Sequence, residues 1–186
     1  MRHLLLFGLL FSMVIPAVCQ FEMQSSGTTA SLRGIDSVGG GVAWASGTEG
    51  TVLRTVDNGK HWEHCVEPTD AKNLDFRGVQ AFDEKTAIVM SSGKGDLSRL
   101  YKTVDGCKTW KLVFMNPDKD GFWDALSMAF PPKVSVPHSV TLKYMLGYLL
   151  GDSVDGHFPL FTTSDGGETW TRRIAGKRGP KGRVAR

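Results

Sequence analysis

Thr163-Ser164-Asp165-Gly166-Gly167-Glu168-Thr169-Trp170 decides how this chain is read, because the same pattern occurs twice more. Thr55-Val56-Asp57-Asn58-Gly59-Lys60-His61-Trp62 is one copy, and Thr103-Val104-Asp105-Gly106-Cys107-Lys108-Thr109-Trp110 is another. The shared pattern is Thr, any residue, Asp, a pair containing glycine, two more residues, then Trp. Asp57 and Asp105 lie 48 residues apart, and Asp105 and Asp165 lie 60 apart. A recurrence at roughly 40–50 residues is the length of one four-stranded unit in a tandem array.

The chemistry of the eight-mer is that of a turn. An Asp side chain accepts bonds from backbone N–H groups one or two residues ahead, and Asn-Gly or Gly-Gly supplies the positive φ of a tight reversal. An apolar, strand-like run precedes each copy: 51–54, 97–102 and 158–162. The Trp that follows is large enough to fill a gap between sheets, and its indole N–H needs a partner. Strand, Asp-held turn and Trp at the head of the next strand make a hairpin. One carboxylate per turn is too few for a hard cation, which takes about six or more oxygens. Thr55, Asp57, Gly59, Trp62, Thr103, Asp105, Trp110, Thr163, Asp165, Gly167 and Trp170 are therefore assigned to turn structure, with no metal or cofactor.

A second anchor supports the period. Leu32-Arg33-Gly34-Ile35 is echoed by Phe76-Arg77-Gly78-Val79, 44 residues on, and Val42–Ser46 by Thr86–Ser91. Alternation between glycines predicts short strands in both units. The third unit opens near Gly121 and carries an insertion with Pro131, Pro132 and Pro137, which belong to a loop. The run 143–150 then reads as a buried strand, and 151–156 as a turn. No long amphipathic helix pattern occurs. The units are placed at 31–70, 71–115 and 116–171, behind a linker at 20–30. Arg33 and Arg77, at equivalent places, are the candidate channel or ligand residues.

These motifs resemble the Asp-box, or bacterial neuraminidase repeat, of sialidases, sortilin-type receptors and photosystem II assembly-factor-like propellers. The first and third copies carry the full pattern. The second has Cys107 where the usual Gly falls, so its turn is expected to differ in detail. The resemblance implies an all-β fold: a partial β-propeller of about three four-stranded antiparallel blades in an open ring, since closed rings use four to eight. It also implies a rigid platform for a protein or glycan, without catalysis, and the count of three units suggests a piece of a longer propeller. Three blades would leave two open sheet edges through which chains could associate. The rival reading is a sialidase-like glycoside hydrolase. That family uses an arginine triad, a Tyr–Glu pair and an Asp acid/base. None of Tyr101, Tyr144 and Tyr148 has a Glu nearby in sequence, and the Arg-Ile-Pro segment usual near that family's start is missing. A reading-frame remnant without a role of its own is the third possibility.

Met1-Arg2-His3 followed by apolar residues 4–15 is too short to span a bilayer, and Pro16-Ala17-Val18-Cys19 offers small residues before a cut. Residues 1–19 read as a secretory signal, which places the product outside the cytoplasm, secreted or periplasmic; a lipoprotein anchored at Cys19 is the alternative. No transmembrane segment is expected in the mature chain. Its two remaining cysteines, Cys65 and Cys107, are a candidate disulfide joining neighbouring units.

Net charge is +3, but residues 172–186 hold seven basic residues and no acid, while 20–171 hold fourteen basic and nineteen acidic. A nucleic-acid role has no support from so acidic a body, and 172–186 reads as a solvated, disordered tail. The opening of a calcium loop at 116–121 fails at its twelfth position, where Ser127 stands in place of the bidentate Glu. His61 and His64, three apart in a strand, point to opposite faces.

Overall fold

The computed structural model describes residues 22–129 and 146–173. Twelve strands form three four-stranded antiparallel sheets, each laid down in chain order. The first holds β1 (Leu32–Gly39), β2 (Val42–Gly47), β3 (Val52–Thr55) and β4 (Glu63–His64). The second holds β5 (Phe76–Ala81), β6 (Ala87–Ser91), β7 (Arg99–Thr103) and β8 (Lys111–Met115). The third holds β9 (Trp123–Ala129), β10 (Leu146–Gly151), β11 (Leu160–Thr163) and β12 (Thr171–Arg173). The fold is all-β; the one helical turn among the described residues, Gly95–Leu97, interrupts the run read from the sequence as a strand from 97.

Strand β6 shows how the sheets stack. All five of its residues are buried, yet the period of two divides them. Ala87 and Val89 pack with Trp44 and Val52 of the first unit, whereas Ile88 and Met90 pack with Trp123, Leu149 and Phe161 of the third. The second sheet is thus buried on both faces, and each large side chain so buried contributes about 1.5–3 kcal/mol. Cys65, just after β4, is bonded to Cys107 in the turn between β7 and β8, tying the first sheet to the second.

Strand β10 behaves differently. Gly147, Leu149 and Gly151 are buried, but Leu146, Tyr148 and Leu150 are exposed. The continuous apolar run at 143–150 suggested burial on both sides; only one side is covered among the described residues. Among the described residues the three sheets thus leave a face of the third open, in addition to the edge strands expected from the sequence.

Residues 22–30, read as a linker, carry no strand, though Gln24 Nε2 donates to Asn58 O (3.2 Å) in the first sheet's turn. One boundary differs. Arg172 and Arg173, assigned to the disordered tail, belong to β12; Arg172 pairs with Asp118 and lies over the Phe161 ring. The leader reading for 1–19, the prolines at 131, 132 and 137, and the tail from 174 onward lie outside the described residues.

Candidate ligand site at the inner strands

The three Asp turns are built alike. Thr55, Thr103 and Thr163 each donate a hydroxyl hydrogen bond to the Asp two residues on, at 2.9, 2.9 and 2.7 Å. Each hydroxyl oxygen accepts from the amide four residues on: Gly59 at 3.0 Å, Cys107 at 3.1 Å and Gly167 at 3.1 Å. Each Asp in turn accepts from the amide four residues ahead, of His61, Thr109 or Thr169, all at 3.0 Å. The reach is longer than the one or two residues expected. The second turn does not differ: Gly106 and Cys107 take φ of 75° and 63°, the places of Gly166 and Gly167 at 74° and 84°. Cys107 holds a conformation that glycine adopts at less cost.

These bonds fix the charge state of the turns. The Thr109 hydroxyl and amide hold Asp105 down to about 2. Partial burial works against Asp165, yet the Thr169 hydroxyl and amide bring it to about 2 as well. The His61 amide, then its ring, hold Asp57 well below the usual carboxylate range. Every turn carboxylate is occupied by its own hairpin, leaving no free ligand for a metal. Among the described residues no group of three or more His, Cys, Asp or Glu is placed to hold one.

The tryptophans fall into two kinds. Trp110 meets Trp44 of the first sheet edge-on at 6.5 Å and donates to Val66 O (2.8 Å). Trp170 stacks on Phe114 of the second sheet at 6.3 Å. Each joins its sheet to the one before. Trp62, in the first sheet, is half-buried beside Arg54, His61 and Glu63 at a cleft of about 190 Å³.

The other repeated feature lies on the first strand of each sheet. β1, β5 and β9 run side by side. Asp36 accepts from the amide of Ala81 (2.8 Å), and the equivalent Gln80 from the amide of Met128 (2.9 Å). The close approach explains the glycine after Arg33: a Cβ on Gly34 would stand 3.2 Å from Arg77 O. Each strand breaks register near its start, between Leu32 and Gly34, between Phe76 and Gly78, and opposite Asp124 where β10 shifts between Leu150 and Gly151. A bulge of this kind re-aims the side chain it carries. Arg33, Arg77 and Asp124 thus occupy one position in three consecutive sheets.

They form a charged row. Asp75 takes both arginines, Arg33 Nε at 3.0 Å on one oxygen and Arg77 Nε at 3.1 Å on the other. Arg77 also lies over the ring of Phe122, 5.5 Å from its centroid. Beyond it, burial and then the Asp152 carboxylate push Asp124 up from the usual range, against the pull of Arg77. Both arginines remain open to solvent, at 41 and 45 % of the side chain. The row offers guanidinium N–H donors left over from Asp75, an aromatic face, and a carboxyl pair that takes up a proton readily. That set suits an anionic or hydrogen-bonding ligand.

The structure brings Arg33 and Arg77 together, as one candidate pair, through an acid that was not singled out. Asp75, Phe122, Asp124 and Asp152 were all missed. Aligning Phe122-Trp123-Asp124-Ala125-Leu126 beneath Asp75-Phe76-Arg77-Gly78-Val79 would have found three of them.

No family model matches the chain, and no curated protein matches it. Solved structures do. A structure described as YCF48 bound to D1 peptide matches with a TM-score of 0.54 at 18% identity, over 78% of this chain and 40% of that one. YCF48 from Cyanidioschyzon merolae matches with a TM-score of 0.54 at 22% identity, over 77% of this chain and 39% of that one. The fold is a partial β-propeller. The chain spans about two fifths of the length of these propellers. At such identities the likeness shows the fold and leaves the ligand to be argued from the site.

Proposed function

We propose that this chain is a non-catalytic, exported Asp-box propeller segment, part of a larger ring, that binds a protein ligand through the inner-strand row of Arg33, Arg77 and Phe122. The observation that carries this reading is the equivalent placement of Arg33 and Arg77 on successive bulges, both held by Asp75 and both open to solvent. Arg77 donates to Asp75, and Arg33 lies within ion-pair distance of its other oxygen, so two planar guanidiniums are gathered as donors for a peptide carboxylate or carbonyl. Phe122 adds apolar contact beside them. The YCF48 structure bound to a peptide shows a protein of similar fold taking such a partner and supports this choice over a glycan.

The sialidase-like reading fares worse on the residues present. It needs a tyrosine activated by a glutamate, yet Tyr101 is buried and donates its hydroxyl to Thr69 O (3.1 Å). Tyr148 pairs across the third sheet with Thr162 and Ser127.

Fluorescence anisotropy against a panel of labelled acidic and neutral peptides tests the proposal. Binding should favour peptides with carboxylates, weaken with salt, and fall at least tenfold in Arg33→Ala/Arg77→Ala. Equal binding by the double variant, or binding of glycans and of no peptide, refutes it.

A further inference from the structure

The two internal sheet junctions show what an outward face of this repeat receives. In the first sheet Trp44 pairs in register with Arg54; in the second Ile88 pairs with Lys102; in the third Tyr148 pairs with Thr162. Trp44 and Ile88 are both 0% exposed under the following sheet, whereas Tyr148 is 49% exposed. The cation beside the apolar residue crosses the junction. Arg54 Nη1 donates to Glu84 O (2.6 Å), and Lys102 Nζ to Gly166 O (2.9 Å) and Glu168 (2.7 Å). On the third sheet Thr162 stands in the cation's place, and its hydroxyl accepts from Arg173 Nε (2.9 Å). A guanidinium is thereby set where the lysine head would be. Tyr148, Leu146, Leu160, Thr162 and Arg173 line an open cleft of about 420 Å³ there.

The opposite end of the molecule carries the complementary surface. Ala45 and Leu53, both already buried, hold the places that Val89 and Tyr101 hold in the second sheet, and Ile35 holds that of Val79. Ile35 is 73% exposed where Val79 is 4%. Asn58 is the counterpart of Gly166, and its carbonyl accepts from Gln24 as Gly166 O accepts from Lys102. Residues 22–30 thus occupy, as a strap, part of the surface on which a preceding sheet would sit. Its anchors on the first sheet among the described residues are few: Gln24 on Asn58 and Gly27 against the His64 ring.

We propose that a second copy of this chain seats its first sheet on the open face of the third, Arg173 replacing Gln24 on Asn58 O as the strap lifts. The inference rests on the reading of the chain as part of a larger ring, and commits the missing part to a second copy. A two-fold axis makes both junctions at once, each third sheet meeting the other copy's first. Three sheets per copy give a ring of six, inside the range of four to eight that closed propellers use. Closure covers the open apolar face of the third sheet and the exposed Ile35 of the first, which an isolated chain leaves to solvent.

The test is sedimentation equilibrium of residues 20–186 with the Cys65–Cys107 bond intact. A concentration-dependent dimer is expected, weakened at least tenfold by Tyr148→Glu and tightened by Gln24→Ala, which frees the strap. Tyr148 is already exposed in the single chain, so its replacement leaves the fold intact. For placement, chains carrying Thr162→Cys are mixed with chains carrying Asn58→Cys and oxidised mildly; a cross-linked heterodimer is expected. A monomer at all concentrations, a dimer indifferent to Tyr148→Glu, or an open ladder of higher oligomers each overturns the proposal. Peptide binding by the Tyr148→Glu monomer separates this outcome from failure of the inner-strand site.

Discussion

Removing the Cys65–Cys107 bond tests how the first two sheets are held, because the two cysteines differ in what else they do. The bond closes a loop of 42 residues. Chain entropy for that length gives a loss of about 4 kcal/mol on cutting it at 25 °C. Cys65→Ala/Cys107→Ala leaves an alanine at Cys107's φ of 63°, where a Cβ costs on the order of 1 kcal/mol. Cys65→Ala/Cys107→Gly loses the same cross-link but gives the turn the residue its sister turns use at Gly59 and Gly167. The glycine variant should therefore be more stable than the alanine variant by about 1 kcal/mol, despite glycine's freer unfolded chain. Urea unfolding followed by tryptophan fluorescence reads both, since Trp110 sits at the joint against Trp44. Both variants should unfold well before the parent. Equal midpoints for the two variants would falsify the claim that Cys107 is held in a glycine conformation, and a parent-like midpoint for either would remove the bond's stabilising role.

Four further outcomes are expected. Thr163→Val strips the third turn of one donor and one acceptor shared by the Asp165 carboxylate and two amides; thermal or urea unfolding should show a loss of about 2 kcal/mol, while Thr163→Ser stays within about 1. Lys102→Met removes a cation with 9% of its side chain exposed from Glu168, which keeps Lys111 and is itself 39% exposed. Its cost should be only about 1–2 kcal/mol, and Lys102→Met/Glu168→Gln should cost less than the sum of its parts in a double-mutant cycle. The turn aspartates have folded values below those of the unfolded chain, so their stabilisation is complete above about pH 4 and drains away as pH falls toward 2; melting points recorded across that window should drop, and drop less in Asp105→Asn. Asp124 is shifted the other way by burial and Asp152, so its ionised form opposes folding at neutral pH; Asp124→Asn should raise the melting point at pH 7 and leave it unchanged near pH 3.

The parts of this molecule legible in the sequence are those whose causes are local. Thr, Asp and the glycine pair make their bonds within five residues of one another, so three copies of the pattern announce three hairpins. The same locality misled where the cause lies elsewhere. Cys107 was expected to alter its turn, but a disulfide and the Thr103 hydroxyl hold it in the shape of the others. The apolar run through Leu146, Tyr148 and Leu150 looked buried because the string of residues does not say whether another sheet covers the second face. Asp124 went unnoticed because its significance is positional: it is an acid at the bulge where the two earlier sheets carry Arg33 and Arg77.

That substitution of sign at a repeated position is the chain's least generic feature. Turn threonines and aspartates are spent on their own hairpins, and the aromatic joints and the Asp36 and Gln80 bonds on stacking one sheet upon the next. They say nothing about a ligand. The bulge arginines also reach across the junctions, Arg33 to Asp75 and Arg77 to the Phe122 ring, yet both stay open to solvent. Arginines at two bulges sharing a single Asp75, followed by an acid that burial and Asp152 shift upward, make a row whose charge changes sign across three sheets. A partner recognised by this row must therefore be asymmetric along it, offering acceptors to Arg33 and Arg77 and a different group to Asp124, as an extended peptide does and a simple anion does not.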